Sequence, residues 1–384
     1  MRTINYPFCL IKAIWCSICL IGLSTTVMNA QAPAPLTSLQ LNPGENNPRN
    51  SEGDFVKLKD GRILFVYTHF VGHSASDFGN SHLAARYSSD NGNTWTEADE
   101  IVVENEGTMN VMSVSLLRLQ NGQIALFYAR KNSIHDCIPY MRISSDEGKS
   151  WSAPIRCITD QEGYFVLNNA RVIQLSNGRI LMPVAHHVSE DRPGNLEHNF
   201  NNYGVLYCYY SDDNGQTWKQ KGEVKIPDGL MAQEPGLVEM KNGQVMMYIR
   251  TDSGVQYASI SKNKGKKWSM AVPTNIPSPL SPATIARIPA TGDLVLVWNN
   301  NGVKKNSYRG KRTPLNVAIS KNEGLTWENV KTLHDDPDGW YCYTSIRFIS
   351  DEELLMSYCA GNRPAGTALS ITNVTKINTN WLYE

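Results

Sequence analysis

Apolar and polar positions follow one recurring arrangement along the chain: a short apolar strand, a tight turn, and a second apolar strand. The copies read VKLKDGRILFVY at 56–67, LLRLQNGQIALFY at 116–128, VIQLSNGRILMPV at 172–184 and LVEMKNGQVMMYI at 237–249. Two degenerate copies follow, ARIPATGDLVLVW at 286–298 and IRFISDEELLMSY at 346–358. Asn-Gly and Asp-Gly supply the positive φ angles that two-residue hairpin turns demand, so the pattern predicts six β-hairpins. No long amphipathic helix competes with them.

A second motif falls between the hairpins: SSDNGNTW at 88–95, SSDEGKSW at 144–151, SDDNGQTW at 211–218, SKNKGKKW at 261–268 and SKNEGLTW at 320–327. This is the Asp-box pattern. The Asp or Asn side chain is expected to cap the turn's own amides, Gly to take the left-handed position, and Trp to pack back onto the sheet. Asn263 and Asn322 replace Asp in the last two copies, which keeps an acceptor and argues against calcium. Strict alternation of hairpins and boxes gives repeats of blade size, and the expected fold is all-β, a six-bladed β-propeller with five Asp-box turns. The sixth repeat has no box; its outer strands are expected within 367–384, closed by the N-terminal segment.

Aligning the repeats on the turn glycine (Glu352 in the last copy) places Glu52, Ser113, Asn169, Glu234, Ala283 and Tyr343 at one equivalent position, nine residues upstream. In a propeller the innermost strands line a central opening, so these six should form a ring at its mouth. Two residues on, the same face carries Asp54, Ser115, Arg171, Gly236, Ile285 and Ser345.

Charge narrows the partners: Lys plus Arg and Asp plus Glu are 36 each, so no net field draws nucleic acid or an acidic membrane surface. With 41% hydrophobic and 19% charged residues the chain can bury a large core. Residues 1–30 read as a secretory signal, with Arg2 and Lys12 before the apolar run Ala13 to Leu23 and small Ala30 at the expected cleavage site. That leaves one domain, 31–384, in a protein expected to be secreted or periplasmic, without a membrane span. Of the five remaining cysteines, Cys342 and Cys359 flank one hairpin and could face each other across it; buried free thiols are the expectation for all five. His69, His73, His82, His186 and His187 cluster near two hairpin ends without zinc-type spacing, so substrate hydrogen bonding or loop exposure is expected rather than metal binding. No cofactor is implied.

With these residues in place, the chain resembles the sialidase (neuraminidase) superfamily over essentially all of 31–384. The resemblance implies a sialidase-fold propeller acting on glycans with a terminal acidic sugar. Tyr343 in YTSI resembles the family's nucleophile, Glu234 in QEPGLVEM its partner glutamate, and Asp77 in DFGNSHLAARYSSDNG its acid/base. Arg250 and Arg312 resemble two of the three arginines that hold the substrate carboxylate. The third is not matched: the ring position in the first blade is Glu52, and Arg49 or Arg171 could substitute for it. Glu52 could equally pair with either arginine as a structural ion pair. Trp340 and Tyr341 could stack on a sugar face or pack the sixth blade. The rival functions are a hydrolase or lyase for a different acidic sugar, and a non-catalytic carbohydrate-binding propeller. Linkage preference and oligomeric state are not encoded in any of these signals.

Overall fold

Each hairpin of the sequence pattern forms the first two strands of a four-stranded antiparallel module. The structure, a computed structural model, describes residues 1–3, 31–190, 196–302 and 311–384. The expected signal segment lies almost wholly outside the described residues. The chain divides after Gln31, and Ala32–Glu384 is one compact body.

The first module pairs Asn50–Lys57, Ile63–Phe70, Ser81–Ser88 and Glu100–Val103 in chain order. The fourth (Ala232–Glu239, Val245–Thr251, Val255–Ser261, Val272–Pro277) and fifth (Thr284–Arg287, Leu294–Asn299, Leu315–Ser320, Glu328–His334) repeat that order. The second, Asn110–Arg118 to Ile155–Arg156, and the third, Ile173–Gln174 to Lys219–Val224, are joined into one nine-stranded sheet. The joining strand, Tyr164–Val166, runs parallel to Asp136–Ser144 and antiparallel to Ile180–His187. The sixth module is completed from the other end of the chain: Gly339–Phe348, Glu353–Asn362 and Thr372–Asn378 are followed in the sheet by Leu36–Leu41. This matches the sequence expectation for the last repeat.

The hairpin turns differ from the expected two-residue type. Leu58 N donates to Arg62 O and Gly61 N to Leu58 O, and Gly61 alone has positive φ, at 91°. The same pair of bonds closes the turns at Gly122, Gly178 and Gly243. These are three-residue loops ending in a left-handed glycine, which explains why Gly recurs while the residues before it vary.

The Asp boxes form as their residue types dictate. In the first, Ser88 Oγ accepts from Gly92 N at 2.8 Å and Asp90 Oδ1 from Thr94 N at 2.9 Å. Asn322 makes the corresponding bond to Thr326 N, also 2.9 Å. The box residues, however, face the preceding module as well as their own. Trp218 of the third module meets Phe127 of the second edge to face, and Trp95 of the first donates to Ser38 Oγ beside the sixth. Gly148, Gly215 and Gly265 lie against Leu64, Met141 and Leu181 of the preceding module, and Gly92 of the first against Leu355 of the sixth. Each box therefore fills the seam between neighbours, where the apolar clusters also sit.

The inner strands converge. Asn50–Lys57 packs against both Asn110–Arg118 and Gly339–Phe348, and Thr284–Arg287 against both Ala232–Glu239 and Gly339–Phe348. Asn169 Nδ2 donates to Gly53 O of the first module and Tyr343 O of the sixth. All five described cysteines are free and buried, and Cys342 pairs in register with Cys359 across the last hairpin.

Candidate active site

The pairing register breaks once in the inner strand of four modules, between Ser51 and Asp54, Met112 and Ser115, Gln233 and Gly236, and Cys342 and Ser345. Inside each break one non-glycine residue takes positive φ: Glu52 at 55°, Ser113 at 65°, Glu234 at 42° and Tyr343 at 55°. That conformation is sparsely populated for residues with a Cβ, and a bulge re-aims the side chain it carries. These four are ring positions of the sequence alignment. In the third module the positive φ falls one residue later, at Ala170, and in the fifth Ala283 precedes the strand without a break.

The four bulged residues line one cleft of about 340 Å3, together with Asp77, Arg250 and Arg312. Tyr343 Oη donates to Glu234 Oε1 at 3.4 Å, and Glu234 Oε2 accepts from Arg250 NH1 at 2.5 Å. Burial, reinforced by the charge of Glu234, drives the Tyr343 phenol well above its ordinary range, so the resting tyrosine is neutral. The Arg312 guanidinium lies 5.1 Å from the ring centroids of both Trp340 and Tyr343. Among the described residues, Arg250 Nε and Arg312 NH1 are buried donors without a partner, which leaves hydrogen-bonding capacity for a ligand.

Across the cleft, Arg49 holds two carboxylates at once. NH1 donates to Asp77 at 2.6 Å and NH2 to Glu52 at 2.9 Å, while the guanidinium lies over Phe70. Glu52 also accepts from Ser113 Oγ. Burial pushes the Glu52 carboxyl up to about 6 against the pull of Arg49. Asp77, its side chain half exposed, responds oppositely: the surrounding protein would raise it, but Arg49, Lys131 and Arg312 together hold it below the usual carboxylate range.

Arg49 thus meets Glu52 and Asp77 and does not line the cleft; it is fully occupied inside the protein. Arg171 is not brought to the cleft either. It is buried, with NH1 bonded to Tyr248 Oη at 2.9 Å and Thr284 Oγ1 at 3.4 Å. Arg49 is occupied by its two carboxylates and Arg171 lies away from the cleft, so neither is placed to replace the missing third one.

Sequence reasoning missed Lys131. Its ammonium donates to Asp77 O at 2.6 Å and lies over the rings of Phe78 and Tyr164, at the edge of the cleft. His187 lines the same wall, and burial lowers its imidazole to about 4, so it is neutral. Both are the ninth residue after a turn glycine, Gly122 and Gly178, so the alignment used for the inner strands could have found them. Arg49, Lys131, Arg250 and Arg312 outnumber Glu52, Asp77 and Glu234 by one charge, a balance that favours an anionic ligand.

Residues 73–356 match the BNR repeat-like domain. The chain belongs to the BNR repeat-like family. The resemblance to the sialidase superfamily is borne out by its relatives. A sialidase of Bacteroides fragilis is 26% identical over 226 residues, covering 56% of this chain and 38% of that protein. An anhydrosialidase of Macrobdella decora is 25% identical over 254 residues, covering 61% and 31%. The chain thus spans about a third of the length of these relatives. Among solved structures, a leech intramolecular trans-sialidase complexed with 2,7-anhydro-Neu5Ac superposes with a TM-score of 0.69 at 15% identity, over 90% of this chain and 71% of that one. A protein of unknown function from Dyadobacter fermentans gives the same TM-score at 19% identity, over 90% and 100%.

For this BNR repeat-like chain the matched span contains Asp77, Lys131, Glu234, Arg250, Arg312 and Tyr343. It begins after Arg49 and Glu52, so the departure at the first ring position lies outside the part that defines the family match.

Proposed function

We propose that this protein is an exported six-bladed β-propeller that works as a retaining exo-glycosidase of the sialidase type, releasing a terminal sialic acid or related sugar acid from glycans. The observation that carries the reading is the convergence of a neutral Tyr343, Glu234 and two arginines with free buried donors in one cleft. The propeller reading is supported by six four-stranded modules in sequence, with the first packed on the sixth.

A sugar whose anomeric carbon bears a carboxylate repels an anionic nucleophile, whereas a phenol approaches at less electrostatic cost. In this mechanism Arg250 Nε and Arg312 NH1 take the carboxylate. Glu234 accepts the phenol proton as Tyr343 Oη bonds to the anomeric carbon, while Asp77 protonates the departing glycosidic oxygen. Asp77 then removes a proton from water, which displaces the tyrosyl oxygen with net retention, while Glu234 returns its proton to Tyr343 Oη. Arg49 positions Asp77, and the paired Glu52 occupies space that a third arginine would fill.

Incubation with a fluorogenic sialoside tests the activity. If neither it nor a panel of other acidic-sugar glycosides is cleaved, the enzyme reading falls. A second reading, cleavage of a different acidic sugar by hydrolysis or elimination, is favoured by one feature: Glu52 lies in the cleft where a carboxylate-binding cation is expected. Product analysis separates the two, since elimination leaves an unsaturated sugar.

A further inference from the structure

Arg171 is a fully buried cation that the cleft chemistry does not use. It projects from the inner strand region of the third module toward three others. Its backbone N–H donates to Ser115 Oγ of the second, and its NH1 to Tyr248 Oη of the fourth and Thr284 Oγ1 of the fifth. Its Nε and NH2 are buried and have no partner. No carboxylate is within ion-pair distance among the described residues, although the guanidinium cannot shed its proton.

The acid at the equivalent register position, Asp54, does not neutralise it. Asp54 accepts from Phe55 N, Leu116 N and Arg347 NH2, the last at 2.5 Å. Asp54 is thus taken by Arg347, and the charge of Arg171 has no carboxylate against it among the described residues. The surroundings are shaped for it. Gly236 leaves room for the Tyr248 ring, since a Cβ there would lie 2.2 Å from Tyr248 Cζ. Tyr248 Oη accepts from Arg171 and has no acceptor of its own among the described residues, so its proton is free to point at the same ligand. Tyr248 and Thr284 also line a second cavity of about 520 Å3, which offers an entry route apart from the cleft that holds Tyr343.

We propose that Arg171 and Tyr248 form a binding site for a small monovalent anion, chloride under ordinary conditions. Arg171 Nε and NH2 and the Tyr248 hydroxyl are the donors. One buried surplus positive charge matches a monovalent ion, and the site is structural: the anion joins the third and fourth modules through groups that otherwise stay unpaired.

Bromide is the probe. Crystals of the intact protein grown with sodium bromide should show an anomalous peak within hydrogen-bonding distance of Arg171 and Tyr248 Oη. In solution, sodium chloride or bromide should raise Tm saturably, by about 3 °C over sodium gluconate at equal ionic strength. Arg171→Met should abolish the halide-specific rise, and Tyr248→Phe, which keeps the ring, should shift its midpoint to higher halide. A bromide map with no peak at Arg171 overturns the proposal, whatever the variants do. So does an equal response of wild-type protein to halide and gluconate.

Discussion

The hydroxyl of Tyr343 lies 3.4 Å from Glu234 Oε1, and the other oxygen of that carboxylate is held by Arg250 at 2.5 Å. Glu234 is thereby fixed in place with one oxygen left to receive a proton. Its partner is a phenol that burial keeps protonated. Glu234→Gln keeps the shape and loses the base, so turnover of an acidic-sugar glycoside should fall by about two to four orders of magnitude. Tyr343→Phe should fall at least as far, with Tm in both variants close to wild type. Steady-state rates beside a thermal melt check this; a Phe variant of near-normal rate rules out the tyrosine mechanism.

Arg312 has a buried NH1 without a protein partner and a guanidinium held against Trp340 and Tyr343. A lysine keeps the charge but cannot present a planar fork or stack in the same way. Arg312→Lys should therefore raise KM for an acidic glycoside by about 10- to 100-fold, the loss of one charge-assisted hydrogen bond, with a smaller change in kcat. Unchanged KM would place the substrate carboxylate elsewhere.

Much of this was legible in the repeats, and the misses have physical causes. Nine residues before the turn glycine, Glu52, Ser113, Glu234 and Tyr343 were found because the modules share one register. The bulge that aims them was not, because the residue that takes positive φ in each break, Glu52 or Tyr343, is not a glycine. The Arg49–Glu52 ion pair was among the expectations and forms; the second half of the Arg49 bridge was not, for another reason. Its partner Asp77 lies beyond a whole hairpin strand, and only folding brings the guanidinium between Asp77 and Glu52. Lys131 belongs to no motif that would single it out, although its register position equals that of His187.

The Arg49 bridge sets a pH dependence. Asp77 is held below the ordinary carboxylate range, so at neutral pH it is ionised and its acid form is scarce. A substrate with a sugar leaving group needs that acid form, so its kcat/KM should rise as pH falls from neutral toward the Asp77 pKa. An aryl glycoside, whose phenolate departs unaided, should show little of this rise. Arg49→Gln removes the nearest cation, raises the Asp77 pKa and should shift the sugar-substrate profile to higher pH. An unmoved profile would exclude Asp77 as the acid.

The Asp boxes predict a stability pattern independent of catalysis. Asp213 Oδ1 accepts from Thr217 N at 2.9 Å and from Ser211 Oγ at 2.7 Å, and Asn322 makes the matching bonds in the fifth module with a neutral side chain. The acceptor oxygen, rather than the charge, is what the turn requires. Asp213→Ala should cost about 1–2 kcal/mol for the bonds lost, and Asp213→Asn less than about 0.5 kcal/mol. Protonation adds a second signature. Although the surrounding protein opposes it, Thr217 and Ser211 hold the Asp213 carboxyl below its ordinary range. Its contribution is therefore present above the pKa of an unfolded aspartate and is lost as pH falls through the lower folded value. Asp213→Asn should flatten the acid limb of the stability curve, measured by denaturant unfolding across that range. Asn322→Asp should steepen it, because it installs a titrating carboxylate in a turn already built to accept it.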